Sequence, residues 1–177
     1  VSNATLHNED EIIRKDIRVG DTITVQRAGD VIPQVLSVDK SKRLAASKSF
    51  IFPSKCLCGG KTVKDFNPLT KKHDAVRRCT KGYECKFISK EKLKHFVSKD
   101  ALNIDGLGKK VIDQFWDRGF IRVPSDIFNL DYQKILLLEG WGKLSISNLK
   151  KAINQAKKIS LNKFIYAIGI RHIGQEN

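Results

Sequence analysis

Near the start of the chain, β-branched and polar residues alternate. This alternation over residues 22–26 predicts a half-buried strand, and residues 31–38 predict the strand that returns beside it. A tight turn over 28–30 joins the two, because the glycine there accepts a positive φ at little cost. Before them, Asn8 is followed three residues later by a glutamate, and this capping-box pattern predicts a helix over 8–15. These elements predict part of a small β-barrel whose first strand is missing.

In the second half of the chain, the spacing of hydrophobic residues becomes helical. Leu93, Phe96 and Val97 recur at positions that share one face of a helix. Residues 149–159 and 161–168 predict two further short helices in the same half. The strands are therefore expected in the first half and the helices in the second.

A glycine motif repeats within the helical half. Its first copy covers residues 104–112, its second copy 138–145, which is 34 residues later, and a weaker third copy 168–174. In the first two copies, two glycines flank a hydrophobic residue and a lysine follows: Gly106, Gly108 and Lys109, then Gly140, Gly142 and Lys143. Such glycines let the backbone approach a phosphate, and the next helix presents free N–H groups and its positive dipole end to that phosphate.

Together these copies resemble the helix-hairpin-helix motif, whose contacts hold the DNA backbone and read no sequence. A dinucleotide-binding fingerprint is excluded, because no strand precedes the glycines and a third glycine is absent. The alternative interpretation is a glycine turn within a helical bundle. The repetition favours the phosphate-binding interpretation over the alternative.

All four cysteines lie in one stretch, as a pair at Cys56 and Cys58 and a second pair at Cys79 and Cys85. Two pairs of thiols separated by 20 residues predict a tetrahedral zinc site. Four thiolate ligands leave no open position for water, so the site would be structural. Buried or free thiols are the alternative interpretation.

The four histidines give weaker signals. His73 lies in a basic stretch at 71–73, which we expect to be an exposed loop, and it is the one histidine that could replace a cysteine ligand. His95 is expected to pack on a helical face. His7 and His172 have no partner that the sequence reveals.

Charge indicates a polyanionic partner. The formal net charge is +14, and residues 61–94 hold eleven basic and four acidic residues. Such a patch fits nucleic acid better than a membrane surface, and a basic surface that serves only solubility is the alternative. No hydrophobic run approaches the ~20 residues needed to span a bilayer, and the first residues lack a signal-peptide pattern. We therefore expect a cytoplasmic protein with reduced cysteines.

The most distinctive motif of the β half is RAGDVI at residues 27–32. Here Arg27 is predicted to meet a phosphate, while Val31 and Ile32 touch sugars in a shallow minor groove. An ordinary β-hairpin is the alternative interpretation.

Five stretches carry a resemblance to a known family. They are VSNATLHN at 1–8, RAGDVIPQ at 27–34, the cysteine stretch at 56–85, NIDGLG at 103–108 and GIRHIG at 169–174. In this order they resemble the bacterial NAD-dependent DNA ligases, and the resemblance covers the whole chain. It implies an α+β fold of three modules: a partial OB-fold β-barrel over 1–50, a small four-cysteine zinc module over 51–88 and an all-α helix-hairpin-helix domain over 89–177.

The resemblance also implies roles for particular residues. In that family these parts encircle nicked duplex DNA while another domain performs the nucleotide chemistry, and the stretch holding Arg27 contacts DNA near the nick. The family usually spaces its first two cysteines as C-x2-C, whereas one residue separates them here. The implied zinc ligands are Cys56, Cys58, Cys79 and Cys85, and the implied DNA contacts are Arg27, Val31, Ile32, Gly106, Gly108, Lys109, Gly140, Gly142, Lys143 and Arg171.

The chain lacks the nucleophilic lysine of the family's K-x-D-G motif. Its nearest stretch, KHDA at 72–75, has no glycine. The chain also starts at Val1 and contains no methionine, so we expect a segment of a longer enzyme, truncated before a fourth hairpin and inactive alone. The whole enzyme would bind NAD and Mg²⁺ elsewhere and would be associated with the nucleoid. The partners of this segment would be nicked duplex DNA and the adenylation domain.

Two other functions fit parts of the pattern. A non-catalytic zinc and helix-hairpin-helix module of a repair protein would also lack the nucleophilic lysine. An RNA-binding OB-fold and zinc protein would carry base-stacking aromatic residues on its strands. Residues 22–38 contain no aromatic residue, which disfavours the RNA-binding function.

Overall fold

The computed structural model describes residues 2–28, 32–68, 70–171 and 173–174. The chain divides into two compact units, Val1–Lys81 and Gly82–Asn177. Among the described residues, no helix is both long enough and apolar enough to cross a bilayer.

The described part of the first unit is built from two antiparallel strand pairs and one α-helix. β1 pairs with β2, and β3 pairs with β4. A short 3-10 helix follows β2 at Lys40–Lys42. The elements are α1 (Glu9–Lys15), β1 (Ile23–Ala28), β2 (Ile32–Val38), β3 (Thr62–Asn67) and β4 (Lys72–Cys79).

The two strands predicted from the alternation are present as β1 and β2. A bulge interrupts their register between Thr24 and Val25. On the other side of β2, Thr5 forms an isolated parallel bridge to Gln34, and its N–H donates to the carbonyl of Pro33 at 2.8 Å. The predicted turn at 28–30 lies mostly outside the described residues. The antiparallel pair of β1 and β2, the β1–β2 ribbon, therefore has a short third strand segment beside β2.

The predicted helix over 8–15 is also present, but the capping box is only half formed. Asn8 Oδ1 accepts a hydrogen bond from the N–H of Glu11 at 3.0 Å, as an N-cap should. The Glu11 carboxylate does not return to the Asn8 N–H, since it forms ion pairs with Arg14 at 2.6 Å and Lys15 at 3.4 Å. The N–H of Asn8 instead donates to the carbonyl of Leu6 at 2.8 Å.

The basic stretch at 71–73 is exposed as predicted, but it is only partly a loop. Lys71 lies in the turn of the β3–β4 hairpin, and Lys72 and His73 are the first residues of β4. Arg77 and Lys64 on this hairpin pair with Glu9 of α1, at 2.9 Å and 3.3 Å. Glu9 is far from Arg77 and Lys64 in sequence, so the sequence alone indicated an exposed charged loop where the backbone forms paired strands.

Helices alone make up the second unit in its described part. Two 3-10 segments accompany them, at Gly82–Glu84 and Pro124–Asn129. Residues 161–168 form a helix with the predicted bounds, whereas the helix predicted over 149–159 begins earlier and ends at Ala156. The helices are α2 (Lys86–Phe96), α3 (Lys109–Asp117), α4 (Tyr132–Leu136), α5 (Lys143–Ala156) and α6 (Leu161–Ile168).

One hydrophobic core holds this unit together. Leu93, Phe96 and Val97, which were predicted to share a face, are all buried in it. Phe115 is fully buried, and its ring centroid lies 5.3 Å from that of Trp141. Burying a side chain of this size contributes about 1.5–3 kcal/mol. Because Trp141 belongs to the second glycine motif, the core positions that motif directly.

Candidate metal centre and nucleic-acid interface

Residues 56–60, the cysteine turn, present the first two thiols. The N–H of Cys56 donates to the carbonyl of Gly60, and the N–H of Gly59 donates to the carbonyl of Cys56, both at 2.8 Å. Gly59 has φ +81°, a conformation that glycine adopts without strain. The third thiol belongs to Cys79, the last residue of β4. Backbone pairing therefore fixes the positions from which these side chains project.

The four cysteines predicted as ligands lie together. All four sulfur atoms are within 4.8 Å of one another, and Cys58 Sγ lies 3.5 Å from Cys79 Sγ. Tetrahedral zinc with Zn–S bonds of about 2.3 Å separates its sulfur ligands by roughly 3.8 Å. The one-residue spacer between Cys56 and Cys58 is therefore compatible with a four-sulfur site. Cys85 is the buried member of the group.

Gly60 leaves space that the sulfur cluster uses. A Cβ at this position would lie 2.8 Å from Cys79 Sγ and 2.9 Å from Lys81 Cγ. The sulfur contact is closer than real Cβ atoms approach, so a side chain here would displace the thiol. The donor set and this space both fit a tetrahedral metal ion.

His73 does not belong to the sulfur cluster. Its Nδ1 lies 3.2 Å from the carbonyl oxygen of Lys64, and its ring centroid is 5.2 Å from that of Phe66. His95 packs as expected, with Nε2 2.8 Å from the carbonyl of Tyr166 and the two ring centroids 4.8 Å apart.

A buried acid, Glu9, connects α1 to the β3–β4 hairpin, which carries Cys79. Glu9 is 8% exposed, and Arg77 donates to both of its carboxylate oxygens, at 2.9 Å and 3.1 Å. Lys64 approaches the same carboxylate and also pairs with Asp10. The hydrogen bond from Arg77 holds the pKa of Glu9 below its usual value, against the opposing effect of burial.

These ion pairs change the interpretation of the basic patch. Five of the eleven basic residues in 61–94 form salt bridges with acidic side chains: Lys64, Arg77, Arg78, Lys90 and Lys94. Among the described residues, no salt bridge involves the other six: Lys61, Lys71, Lys72, Lys81, Lys86 and Lys92. The positive charge left for a polyanion is therefore smaller than the sequence count indicates.

The β1–β2 ribbon places Arg27 and Ile32 on opposite faces. Arg27 is exposed and stands opposite Pro33 in the register, whereas Ile32 is paired one position further along. Successive residues of a strand point to opposite sides, so the face of Pro33 and Arg27 is not the face of Ile32. Ile32 is 59% exposed. Val31 lies outside the described residues.

His7 has a partner that the sequence did not reveal. Its Nε2 lies 2.9 Å from Gln34 Oε1, across 27 residues of sequence. His172 lies outside the described residues. No local pattern predicts the contact of His7, because it depends on the pairing of Thr5 with β2.

The first hairpin (residues 104–109) is a tight turn between α2 and α3. The N–H of Leu107 donates to the carbonyl of Ile104 at 3.2 Å, and Gly106 has φ +88°. Gly108 is the N-cap of α3, with φ −67° and ψ 169°. Lys109 is the first residue of that helix and is exposed.

The second hairpin (residues 138–143) repeats this backbone between α4 and α5. The N–H of Trp141 donates to the carbonyl of Leu138 at 3.1 Å, Gly140 has φ +81° and Gly142 is the N-cap of α5. The second hairpin has one contact that the first lacks, because Ser145 Oγ lies 2.9 Å from both the N–H and the carbonyl of Gly142. Sequence analysis missed this serine, although a hydroxyl three residues after an N-cap is a capping signal.

The third copy has one turn of the same kind. The N–H of Ile173 donates to the carbonyl of Ile170 at 3.2 Å, which aligns this pair with the hydrophobic pairs of the other two hairpins. Arg171 is exposed within the turn. Gly169 ends α6 in the left-handed conformation, with φ 68°.

Comparison with known proteins places these features in context. Residues 1–47 match the model of the NAD-dependent DNA ligase OB-fold domain. The whole chain aligns with DNA ligases, and it is 65% identical over 179 residues to that of Pelagibacter ubique (strain HTCC1062). The DNA ligase of Xanthobacter autotrophicus (strain ATCC BAA-1158 / Py2) is 48% identical over 184 residues, and that of Pelobacter propionicus (strain DSM 2379 / NBRC 103807 / OttBd1) is 48% identical over 191.

These alignments use 99–100% of the chain and 26% of each relative. The chain thus spans about a quarter of the length of the curated relatives it matches. The resemblance drawn from the sequence motifs is confirmed, and so is the OB-fold identity of the first residues.

Proposed function

We propose, from the premise that this chain belongs to the NAD-dependent DNA ligase family, that it is a DNA-binding segment of an enzyme that seals nicks in duplex DNA. The whole enzyme would transfer AMP from NAD to a lysine of its adenylation domain, with release of nicotinamide mononucleotide, and then to the 5′-phosphate of the nick. Attack by the 3′-hydroxyl would form the phosphodiester bond and release AMP. NAD and Mg²⁺ would be bound outside this segment, which would not adenylate itself.

The second glycine of each hairpin carries this proposal. Gly108 and Gly142 have backbone angles that any residue can adopt, φ −67° and −131°. A Cβ at either position would meet nothing within 4 Å. The described fold leaves room for a side chain at these sites and favours glycine only through the modest N-cap preference, whereas a phosphate close to the backbone gives a stronger reason for it.

The other proposed contacts belong to the same function. Lys109 and Lys143 add charge beside the two helix N-termini, Arg27 and Ile32 contact the duplex near the nick, and Arg171 contacts it from the third copy. These contacts hold the backbone, so the segment binds duplexes of any sequence. We also propose the three-module division at 1–50, 51–88 and 89–177, with the helix-hairpin-helix domain last.

The sulfur cluster is proposed to hold structural zinc. Cys56, Cys58, Cys79 and Cys85 would supply the four thiolates, and the bound ion would stabilise the β3–β4 hairpin. Metal analysis of the purified chain should find one zinc per chain and a marked loss in Cys79→Ser. Gly60→Ala should also weaken zinc retention, whereas Gly59→Asn keeps the left-handed backbone and should retain the metal. Full zinc content in Cys79→Ser would contradict the site.

The test of the DNA-binding function is a salt series with nicked and intact duplexes of one sequence. Affinity should fall steeply with salt, with a slope near −0.9 per phosphate contacted, and the nicked duplex should bind more tightly. Gly108→Ala should weaken binding while stability stays within about 0.5 kcal/mol, because a poorer N-cap is offset by a less flexible unfolded chain. Absence of binding to either duplex would refute the function.

A non-catalytic repair module is the second candidate, favoured by the lack of a K-x-D-G motif in this chain. Equal affinity for nicked and intact duplexes would favour it over a ligase segment. Transfer of labelled AMP from NAD to this chain would contradict both functions, since neither gives this segment a nucleophilic lysine.

A further inference from the structure

One polar pair on the β1–β2 ribbon has no role in the function proposed above. His7 Nε2 lies 2.9 Å from Gln34 Oε1. His7 has φ 58°, a left-handed conformation that costs free energy for a residue with a side chain. Its N–H donates to Thr5 Oγ1 at 3.0 Å, and the backbone of Thr5 pairs with β2. The backbone on both sides of this contact is therefore held in place.

His7 determines which end of the Gln34 amide points away from it. An amide oxygen only accepts hydrogen bonds, so the His7 Nε2 facing it carries the proton. The NH₂ group of Gln34 then faces away from the ring. Among the described residues it has no hydrogen-bond partner. The pair thus presents two oriented donors whose direction is fixed before any ligand arrives.

The donors lie on the same face of the ribbon as Ile32. Residues two apart on a strand point to the same side, so Ile32 and Gln34 share a face. Gln26 stands opposite Gln34 in the register and belongs to this face too. The exposed hydrophobic side chain of Ile32 therefore stands beside a directed hydrogen-bond donor.

We propose that this face contacts the minor groove of duplex DNA through a base edge, with Ile32 against the sugars and the Gln34 NH₂ group donating to a base acceptor. His7 is a positioning residue that orients the amide. The inference rests on the proposed function and adds a base preference to its backbone contacts. A·T pairs expose only acceptors in the minor groove, whereas G·C pairs add the donor group of guanine N2. The amide should therefore disfavour G·C pairs where the ribbon binds.

The test compares duplexes that differ only by replacing guanine with inosine, which removes the 2-amino donor. The unmodified chain should bind the inosine duplex about 3- to 10-fold more tightly, the range expected for one net hydrogen bond. In Gln34→Glu the group facing the groove becomes an acceptor, so the preference should vanish or reverse. In His7→Asn, which tolerates the left-handed backbone, the preference should shrink while binding persists.

Gln26→Glu is the matched control. It adds the same negative charge to the same face without a histidine partner, so it should weaken binding to both duplexes and leave their ratio unchanged. An unchanged ratio in Gln34→Glu, or a lack of preference in the unmodified chain, overturns the inference while salt-dependent binding upholds the proposed function. Absence of binding to both duplexes overturns both.

Discussion

The first and second hairpins share one backbone and differ in the chemistry around it. Each has a left-handed first glycine, at φ +88° and +81°, and an extended second glycine that begins a helix. In the second hairpin, however, Ser145 occupies the N–H of Gly142. The equivalent position of the first hairpin is Val111, which has no hydroxyl to occupy the N–H of Gly108.

The positive charge at the start of the following helix is also greater in the first hairpin than in the second. Two lysines, Lys109 and Lys110, begin the helix of the first hairpin, whereas Lys143 is followed by Leu144 in the second. Leu144 is 75% exposed. The comparison teaches that the glycines determine the shape of the turn, while the residues that follow determine how strongly it can bind an anion. The first hairpin should be the stronger phosphate site.

The largest effect is expected from removing the lysines. Lys109→Ala with Lys110→Ala should weaken duplex binding by about 3 kcal/mol, since charged hydrogen bonds contribute roughly 1.5–3 kcal/mol each, and should lower the salt slope by about 1.8. Lys143→Ala should lower the slope by about 0.9. Fluorescence titrations across a salt series measure both. Equal slopes for the two variants would remove the predicted difference between the hairpins.

The next effect concerns the left-handed glycines. Gly106→Ala and Gly140→Ala should each destabilise the chain by about 1–2 kcal/mol, because a Cβ is strained at positive φ. Urea denaturation measures the loss. The shared backbone predicts similar values, and Gly106→Asn and Gly140→Asn should recover part of the stability. A neutral Gly106→Ala would contradict the left-handed turn.

A smaller effect exchanges the serine cap between the hairpins. Ser145→Ala should cost about 0.5–1 kcal/mol of stability through the lost cap, while it frees the Gly142 N–H and keeps or improves DNA binding. Val111→Ser should weaken binding by occupying the Gly108 N–H in the first hairpin, although it also loses stability because Val111 packs against the core. Thermal melts and DNA titrations of the two variants measure both effects. Weaker binding in Ser145→Ala, or unchanged binding in Val111→Ser, would argue against competition between serine and phosphate.

The smallest effect depends on pH. Lys90 and Lys94 of α2 lie 3.1 Å from the same oxygen of Asp113 on α3, and the hydrogen bond from Lys90 leads in lowering the pKa of Asp113. A depressed pKa stabilises the fold above the ordinary carboxyl pKa and stops doing so as the pH falls through the folded value. Because the Asp113 side chain is 41% exposed, its contacts with the two lysines contribute about 0.5 kcal/mol to stability.

Asp113→Asn should therefore be less stable than the unmodified chain at pH 7 and equally stable at an acidic pH below the lowered pKa of Asp113, where the carboxyl is protonated in both states. Denaturation at the two pH values tests this. Asp131→Asn is the comparison at the N-cap of α4, where the ion pair with Lys134 is local to one helix turn. If Asp113→Asn remained less stable than the unmodified chain at the acidic pH, the Asp113 side chain would act through packing and not through its charge.

Sequence predicted the parts of the fold that depend on local rules. The hairpin glycines, the helix beginning after Asn8 and the cysteine cluster follow from backbone sterics, capping and ligand spacing. The β3–β4 hairpin was missed because two of its basic side chains, Lys64 and Arg77, pair with acidic residues of α1, a contact that spacing cannot reveal. The contact between His7 and Gln34 was missed for a similar reason, since it requires strand pairing across 27 residues.

The pairing of Glu9 with Arg77 has a consequence for the order of events during synthesis. The two residues are separated by 68 positions, so α1 leaves the ribosome long before the guanidinium that neutralises its buried acid. Until residue 77 has emerged, the chain can form the α1 helix but not its native surroundings. Contacts this distant in sequence slow folding, so the first unit is expected to complete its fold late and as one piece.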